Sequence, residues 1–309
     1  MANANGYIIT AMDWRGMSSF DLLMVVKILM SKPRVFQSVR DNLIQGYVNK
    51  LALQHFSRHG LLKSEWLQFK TGSNQNHAVP LYQGLQPAFV FYGISQGGIL
   101  GAGYSALSGP TRLIDRAILG VPGTPFALIM TRSLDFLGYD LILLLNFYNN
   151  RHVRILLSLV QMAWDSVEGS GVLAPPLTEP YPTILMQAGL GDSVVPTIAC
   201  EALARALGAS TLPNSPREIY GVPVVASTKV TLDANNTPPA VLTELKYVEE
   251  YANLPVDDTK EPDNDVHICV RQDPHLIQQV AEFINTGRIM DPCAEDGCMR
   301  ARVHCGVAQ

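Results

Sequence analysis

The sequence predicts an α/β fold built on a mostly parallel sheet with flanking helices. Three observations carry that expectation. Strand-like apolar runs alternate with helix-period segments, and glycine-rich turns separate them. A glycine-bounded serine, Gly93-Ile94-Ser95-Gln96-Gly97, sits at one such strand-to-helix turn. The chain has 309 residues, 47% hydrophobic and 16% charged, which is enough to bury one large core or two smaller ones.

Residues 6–14 (GYIITAMDW) read as a buried strand, ended by the loop Arg15-Gly16-Met17-Ser18. Residues 22–30 are apolar on nearly every side and read as a buried helix. Phe36, Val39, Leu43, Tyr47, Leu51 and Phe56 then recur at helical steps, so a longer amphipathic helix runs to Gly60. Residues 63–86 are polar and irregular. Residues 87–92 form the next strand, 96–107 a helix, and 112–119 a third strand ended by Gly120-Val121-Pro122-Gly123. Residues 126–164 are helix-rich with interleaved aromatics and read as an insertion. The sheet resumes with a strand at 183–188 and a helix at 196–207, closed by Gly208. Residues 209–264 carry many prolines and acids and read as an excursion over the sheet, with short strand-like pieces at 223–226 and 229–232. The last clear helix covers 276–284, before Gly287.

Composition excludes some partners. The net charge is −4 and no Lys/Arg block stands out, so nucleic acid is not expected as a partner. No apolar run approaches the ~18 residues of a membrane span. The first residues lack the basic start and apolar stretch of a signal peptide. Read alone that points to the cytoplasm, but localisation stays open because this start need not be the natural start of the fold. Cys200 and Cys269 sit in apolar surroundings and read as small core residues. Cys293, Cys298 and Cys305 cluster in a tail over 291–309, with His304 beside the last. A zinc site, a disulfide within the tail, or neither are all open, although the gaps fit no common zinc spacing.

Two chemistries compete for the glycine-rich stretch at 89–107. Gly101-Ala102-Gly103-Tyr104-Ser105-Ala106 formally matches a dinucleotide fingerprint, but it begins inside the expected helix rather than in the turn after a strand. A phosphate loop fails because no Gly-Lys-Ser/Thr follows. The serine reading has the right placement. A serine in that turn adopts a strained backbone, and Gly93 and Gly97 are expected to remove collisions around it. An acid and a base must then follow in the order Ser, Asp/Glu, His. Asp192, in Gly191-Asp192-Ser193, ends the strand at 183–188 and can aim a carboxylate at Ser95; its other reading is a cap on the following helix. His267 lies in what reads as a loop before the final helix and is preferred as the base over His275. His55, His59, His77 and His152 precede Asp192 and read as surface or packing residues.

With these residues in place the chain resembles the α/β-hydrolase superfamily on its esterase/lipase side, over about residues 7–287. The resemblance rests on DWRGMS, GISQGG, AILGVPG, GDSVVP and the late His267. It implies an α/β-hydrolase-like sheet with a discontinuous core (1–123 and 182–290) and a helical cap at 124–181. It implies hydrolysis of a small-molecule carboxylic ester through an acyl-enzyme on Ser95, with no cofactor and no metal. One oxyanion donor would be the backbone N–H of Gln96. If the cap roofs the serine, the substrate is hydrophobic or lipid-like; otherwise its apolar residues only pack it on the core.

Two features depart from the family. The separation of Asp192 and His267 is 75 positions, longer than usual. The DWRGMS loop normally follows a fourth strand, so strands one to three, and the loop giving the second oxyanion donor, have no counterpart. The expectation is an N-terminally truncated hydrolase, the C-terminal part of a larger one, active alone or complemented by an N-terminal chain or segment, unless residues 7–14 move into the vacant position. The rival readings are a non-enzymatic interaction protein with this fold and a peptidase sharing the serine, acid and base.

Overall fold

A computed structural model describes residues 5–31, 33–70, 78–80, 87–109, 111–173, 182–231, 239–247, 264–293 and 298–300. Helices α1 (Leu22–Ser31) and α2 (Gln37–His59) precede an antiparallel pair, β1 (Gln68–Lys70) and β2 (Ala78–Pro80). The central unit follows as β3 (Val90–Ile94), α3 (Gln96–Ser108) and β4 (Arg116–Gly120). Helices α4 (Phe126–Arg132), α5 (Leu137–Phe147), α6 (Asn150–Trp164) and α7 (Gly169–Val172) come next. Then come β5 (Thr183–Gly189), α8 (Thr197–Ala206), β6 (Ser210–Thr211), β7 (Lys229–Thr231) and β8 (Ala240–Leu245). Helices α9 (Val266–Gln272) and α10 (Pro274–Thr286) and strand β9 (Arg288–Met290) complete the described elements.

The fold is α/β. Five strands form one sheet in the order β3-β4-β5-β8-β6, each neighbouring pair parallel. Both faces are covered, as an all-parallel sheet requires, and the two-residue period assigns side chains to them. Ala117 and Leu119 of β4, with Ile184 and Met186 of β5, face a cluster that includes Leu100 of α3 and Leu203 of α8. Ile118 and Leu185 point the other way, onto Val280 and Phe283 of α10. Helix α3 lies unusually close to the sheet. A Cβ on Gly98 would come within 2.7 Å of the Gly120 carbonyl oxygen, so only glycine permits this approach.

The helix ends obey local chemistry. Asp273 caps α10 by accepting from the N–H groups of His275 (2.9 Å) and Leu276 (3.1 Å), Pro274 opens the helix, and Gly287 closes it at φ 73°. Helices α4 to α7 pack on α1, α2 and α3. Phe126, Leu143, Leu157 and Trp164 are buried in the shared core, while Leu141, Leu145 and Leu159 are exposed. Buried Glu168 ties this group together by accepting from the Phe126 N–H (2.7 Å), Gln161 Nε2 (2.7 Å) and Ser170 Oγ (2.8 Å). No helix among the described residues is long and apolar enough to cross a membrane.

Several expectations need correction. Residues 6–14 form no strand; residues 7–14 carry no regular secondary structure, and only Trp14 is buried. Their apolar pattern demands a neighbour on each side, and no described strand pairs with them. Of the expected buried helix at 22–30, only Ile28 and Leu29 are buried. Residues 209–264 do more than pass over the sheet, because β8 lies within them and is buried along its whole length between β5 and β6. His267 stands in the first turn of α9, not in a loop. In the tail, Cys293 and Cys298 form a disulfide, and Cys269, read as a plain core residue, is also disulfide-bonded. Cys200 is free and buried. His77 and the tail from residue 301 on, with His304 and Cys305, lie outside the described residues.

Candidate functional site

Parallel strands deliver their C-terminal ends to one edge of the sheet, and the loops there converge. Ser95 stands at that edge, between the last residue of β3 and the first of α3, with φ 55° and ψ −121°. This is a conformation that residues other than glycine seldom adopt, and here the surrounding bonds impose it. Ser95 N–H donates to the Gly120 carbonyl at 2.9 Å, and the Ser95 carbonyl accepts from Gly98 (2.8 Å) and Ile99 (2.9 Å). A Cβ on Gly93 would collide with the Gly97 carbonyl, so glycine is required at 93. Gly97, expected to share that duty, has nothing within 4 Å of a built Cβ. The collision falls on the backbone of Gly97, not on a side chain there, so Gly93 alone relieves it.

Asp192 follows β5 in a tight loop. Its Oδ1 accepts from the N–H groups of Val194 (2.8 Å) and Val195 (2.9 Å), which tightens the loop before α8, while its Oδ2 lies 2.8 Å from His267 Nδ1. The expected cap on α8 is not made, because that helix begins after Pro196 and has no side-chain cap; one oxygen of Asp192 holds its own loop and the other meets the histidine. His267 Nε2 lies 3.0 Å from Ser95 Oγ. Both Asp192 and His267 are buried, at 1% and 6% exposure, which fixes their rotamers. The hydrogen-bond pattern suits one tautomer, with Nδ1–H donating to the carboxylate and Nε2 accepting from the serine. The structure thus joins Ser95, His267 and Asp192 in one hydrogen-bonded chain. His275 does not reach this chain; it stands beside Asp273 with its side chain 53% exposed. His55 and His59 stack on each other along α2, and His152 is exposed on α6.

Sequence reasoning passed over Asn264, which binds the acid's loop to the base's helix. Its Nδ2 donates to the Gly191 carbonyl at 2.8 Å, and its Oδ1 accepts from Val266 N–H at 3.1 Å, in the first turn of α9. Its carbonyl accepts from Ser193 Oγ at 3.4 Å. Asn264 therefore grips both residues that flank Asp192. The signal was present as Asn three positions before the histidine, a common helix-start pattern. Thr197 supports the same loop, accepting from Gly191 N–H at 3.1 Å and donating to the Gly189 carbonyl at 2.9 Å.

Gln96 opens α3, so its backbone N–H belongs to the orphan donors of a helix start, next to Ser95. Its side-chain Nε2 is buried with no partner among the described residues. Beneath the site, burial pushes the Cys200 thiol well up, with Glu244, Glu201 and Asp192 adding to the effect, so this cysteine stays protonated and inert. Burial also raises the Glu244 carboxyl to about 7, against the opposing pull of Arg217.

This arrangement can withdraw a proton from a hydroxyl held beside it, and a buried carboxylate stands ready to stabilise the resulting imidazolium. Comparison with known proteins finds no family model, no curated protein and no solved structure that matches the chain.

Proposed function

We propose that the chain is a serine hydrolase of α/β-hydrolase type that cleaves carboxylic esters through an acyl-enzyme on Ser95. The observation that carries this reading is the continuous path from Asp192 Oδ2 through the His267 ring to Ser95 Oγ, with contacts of 2.8 and 3.0 Å. As Ser95 Oγ attacks the ester carbonyl, its proton passes to His267 Nε2. Asp192 holds the tautomer and stabilises the charged ring. The tetrahedral oxyanion is met by the Gln96 N–H. His267 then protonates the departing alcohol, and water repeats the cycle to free the acid. The chemistry needs no cofactor. Leu137, Leu141 and Leu145 present an exposed apolar stripe on α5, which supports a hydrophobic ester as substrate. The disulfides support an oxidising compartment.

The test is covalent labelling by a fluorophosphonate probe, with hydrolysis of p-nitrophenyl esters measured beside it. Labelling is expected for the unaltered chain and is expected to vanish in Ser95→Ala. Well-folded protein that takes no label sinks the reading. A second reading, an interaction protein with this fold, is favoured by one observation: the outer edge of β3 pairs with no described strand. Absence of labelling would move the weight there.

A further inference from the structure

We propose that His55 and His59, on the exposed face of α2, form a surface site for a divalent copper or nickel ion. This goes beyond the proposed chemistry and does not depend on it. Residues four apart on a helix stand one above the other, with Cβ atoms ~5–6 Å apart, so two histidines at this spacing share a face. Here the two rings approach each other, with centres 4.7 Å apart and planes inclined at 48°. Both residues are exposed, and neither ring hydrogen-bonds to another described residue. Held this close, two protonated rings repel each other, while two neutral ones each present a free nitrogen. A metal ion suits the second state, because it binds neutral imidazole and joins the rings through those nitrogens.

The separation of the rings selects the ion. A metal bonded at ~2.1 Å to one nitrogen of each ring lies roughly 3.2 Å from each ring centre. Centres 4.7 Å apart then subtend about 95° at the metal. That is close to the angle between neighbouring ligands of a square-planar or octahedral ion. A tetrahedral zinc ion needs about 109°, and hence centres roughly 5.2 Å apart. Square-planar and tetragonal nitrogen sites belong to copper and nickel, and copper binds such donors most strongly among the first-row divalent ions.

The surroundings favour a cation. The pair stands at the end of α2, where the carbonyls of a helix C-terminus carry partial negative charge. Arg58, between the two in the chain, is committed elsewhere. Its guanidinium lies over the Phe89 ring at 4.7 Å and donates to the Leu113 carbonyl (3.1 Å) and to Asp115 (3.4 Å). Among the described residues no third His, Cys, Asp or Glu joins the pair. The other coordination positions are therefore left to water or to a donor from outside the chain, and the ion is exchangeable. The site is also remote from Ser95. Leu113 and Asp115, which hold this end of α2, precede β4 at the edge where the parallel strands begin, and Ser95 stands where they end. His267 does not compete for the ion, since both its ring nitrogens are engaged.

Titration calorimetry of the whole chain, free of any added histidine tag, with copper(II), nickel(II) and zinc(II) salts tests this, together with electron paramagnetic resonance of the copper form. One ion per chain is expected, bound in the order copper, nickel, zinc, with splitting from two imidazole nitrogens in the copper spectrum. His55→Ala and His59→Ala are each expected to weaken binding roughly 10²-fold, because a single ring loses the advantage of the other held beside it. Both positions are exposed, so the fold is kept. His152→Ala and His275→Ala, at two further exposed histidines, are expected to change nothing. Ser95→Ala is expected to bind the ion as the unaltered chain does, which separates this site from the proposed chemistry. The proposal is overturned if no ion binds one to a chain, or if either substitution on α2 leaves the affinity unchanged. It is equally overturned if zinc binds more tightly than nickel, which makes the angle tetrahedral, or if His152→Ala or His275→Ala abolishes binding.

Discussion

At the scale of single residues, the distance between Asp192 and His267 in the chain is bridged by one side chain. Asn264 holds the Gly191 carbonyl with one end of its amide and caps α9 with the other. Replacing it with alanine leaves Asp192 and His267 in place chemically but frees the loop and the helix to shift independently. Asn264→Ala is expected to lower kcat between about tenfold and 10²-fold with a smaller change in KM, since misplacement of a positioned group is costly. An unchanged kcat for a p-nitrophenyl ester would show that the geometry is held elsewhere. Glu244 makes a different prediction. Its folded-state value, about 7, lies above the ordinary 4.5, so the folded chain keeps a proton that the unfolded chain releases. Stability from this group is present below pH 4.5 and is lost as pH rises to about 7. Glu244→Gln should remove that slope and gain up to roughly 3 kcal/mol at pH 8 relative to the unaltered chain. Urea unfolding at pH 5 and pH 8 checks this: equal effects of the substitution at both would refute it.

At the scale of elements, α9 is where structure and chemistry meet, because it carries His267 and is held from beneath. Cys269 lies two residues on and is disulfide-bonded, and Val266, Cys269 and Val270 share a buried cluster with Cys293 and Cys298. The returning chain also clamps onto the end of β8, with Lys246 N–H donating to the Cys298 carbonyl (2.9 Å) and Arg300 N–H to the Lys246 carbonyl (2.7 Å). Cys293→Ser combined with Cys298→Ser opens a short loop, for which chain entropy predicts a loss of about 2 kcal/mol. A measurable fall in Tm is expected, and an unaltered Tm would mean that the backbone clamp suffices alone. These elements also show what a sequence displays. The Ser95 turn is legible because its requirements are local: apolar residues before it, glycine at 93, small residues after. Helix α9 is not, since seven residues opening on Val-His-Ile give too little periodicity to stand out from a loop. Strand β8 hides for another reason. Two prolines precede it and a glutamate lies inside it, and only the fold supplies the burial and the nearby Arg217 that make Glu244 tolerable.

At the scale of the whole molecule, the parallel sheet and its two covered faces follow from alternating apolar strands and helical segments, which is why the fold class was readable. What could not be read is the pairing of residues 6–14. Their composition asks for a strand, but a strand exists only with a partner, and partners are a property of the assembled sheet. The two edges of that sheet are unequal. β6 is only two residues long, and Thr211 is already bridged to Val224, so that edge is blunted. β3 offers five residues, and no described strand pairs with its outer edge. Fibrous growth needs an adhesive edge at each end of the repeating unit. A molecule adhesive at one end alone can join a single neighbour and then stop, so this asymmetry limits edge-to-edge association to pairs and keeps an open strand from seeding a filament.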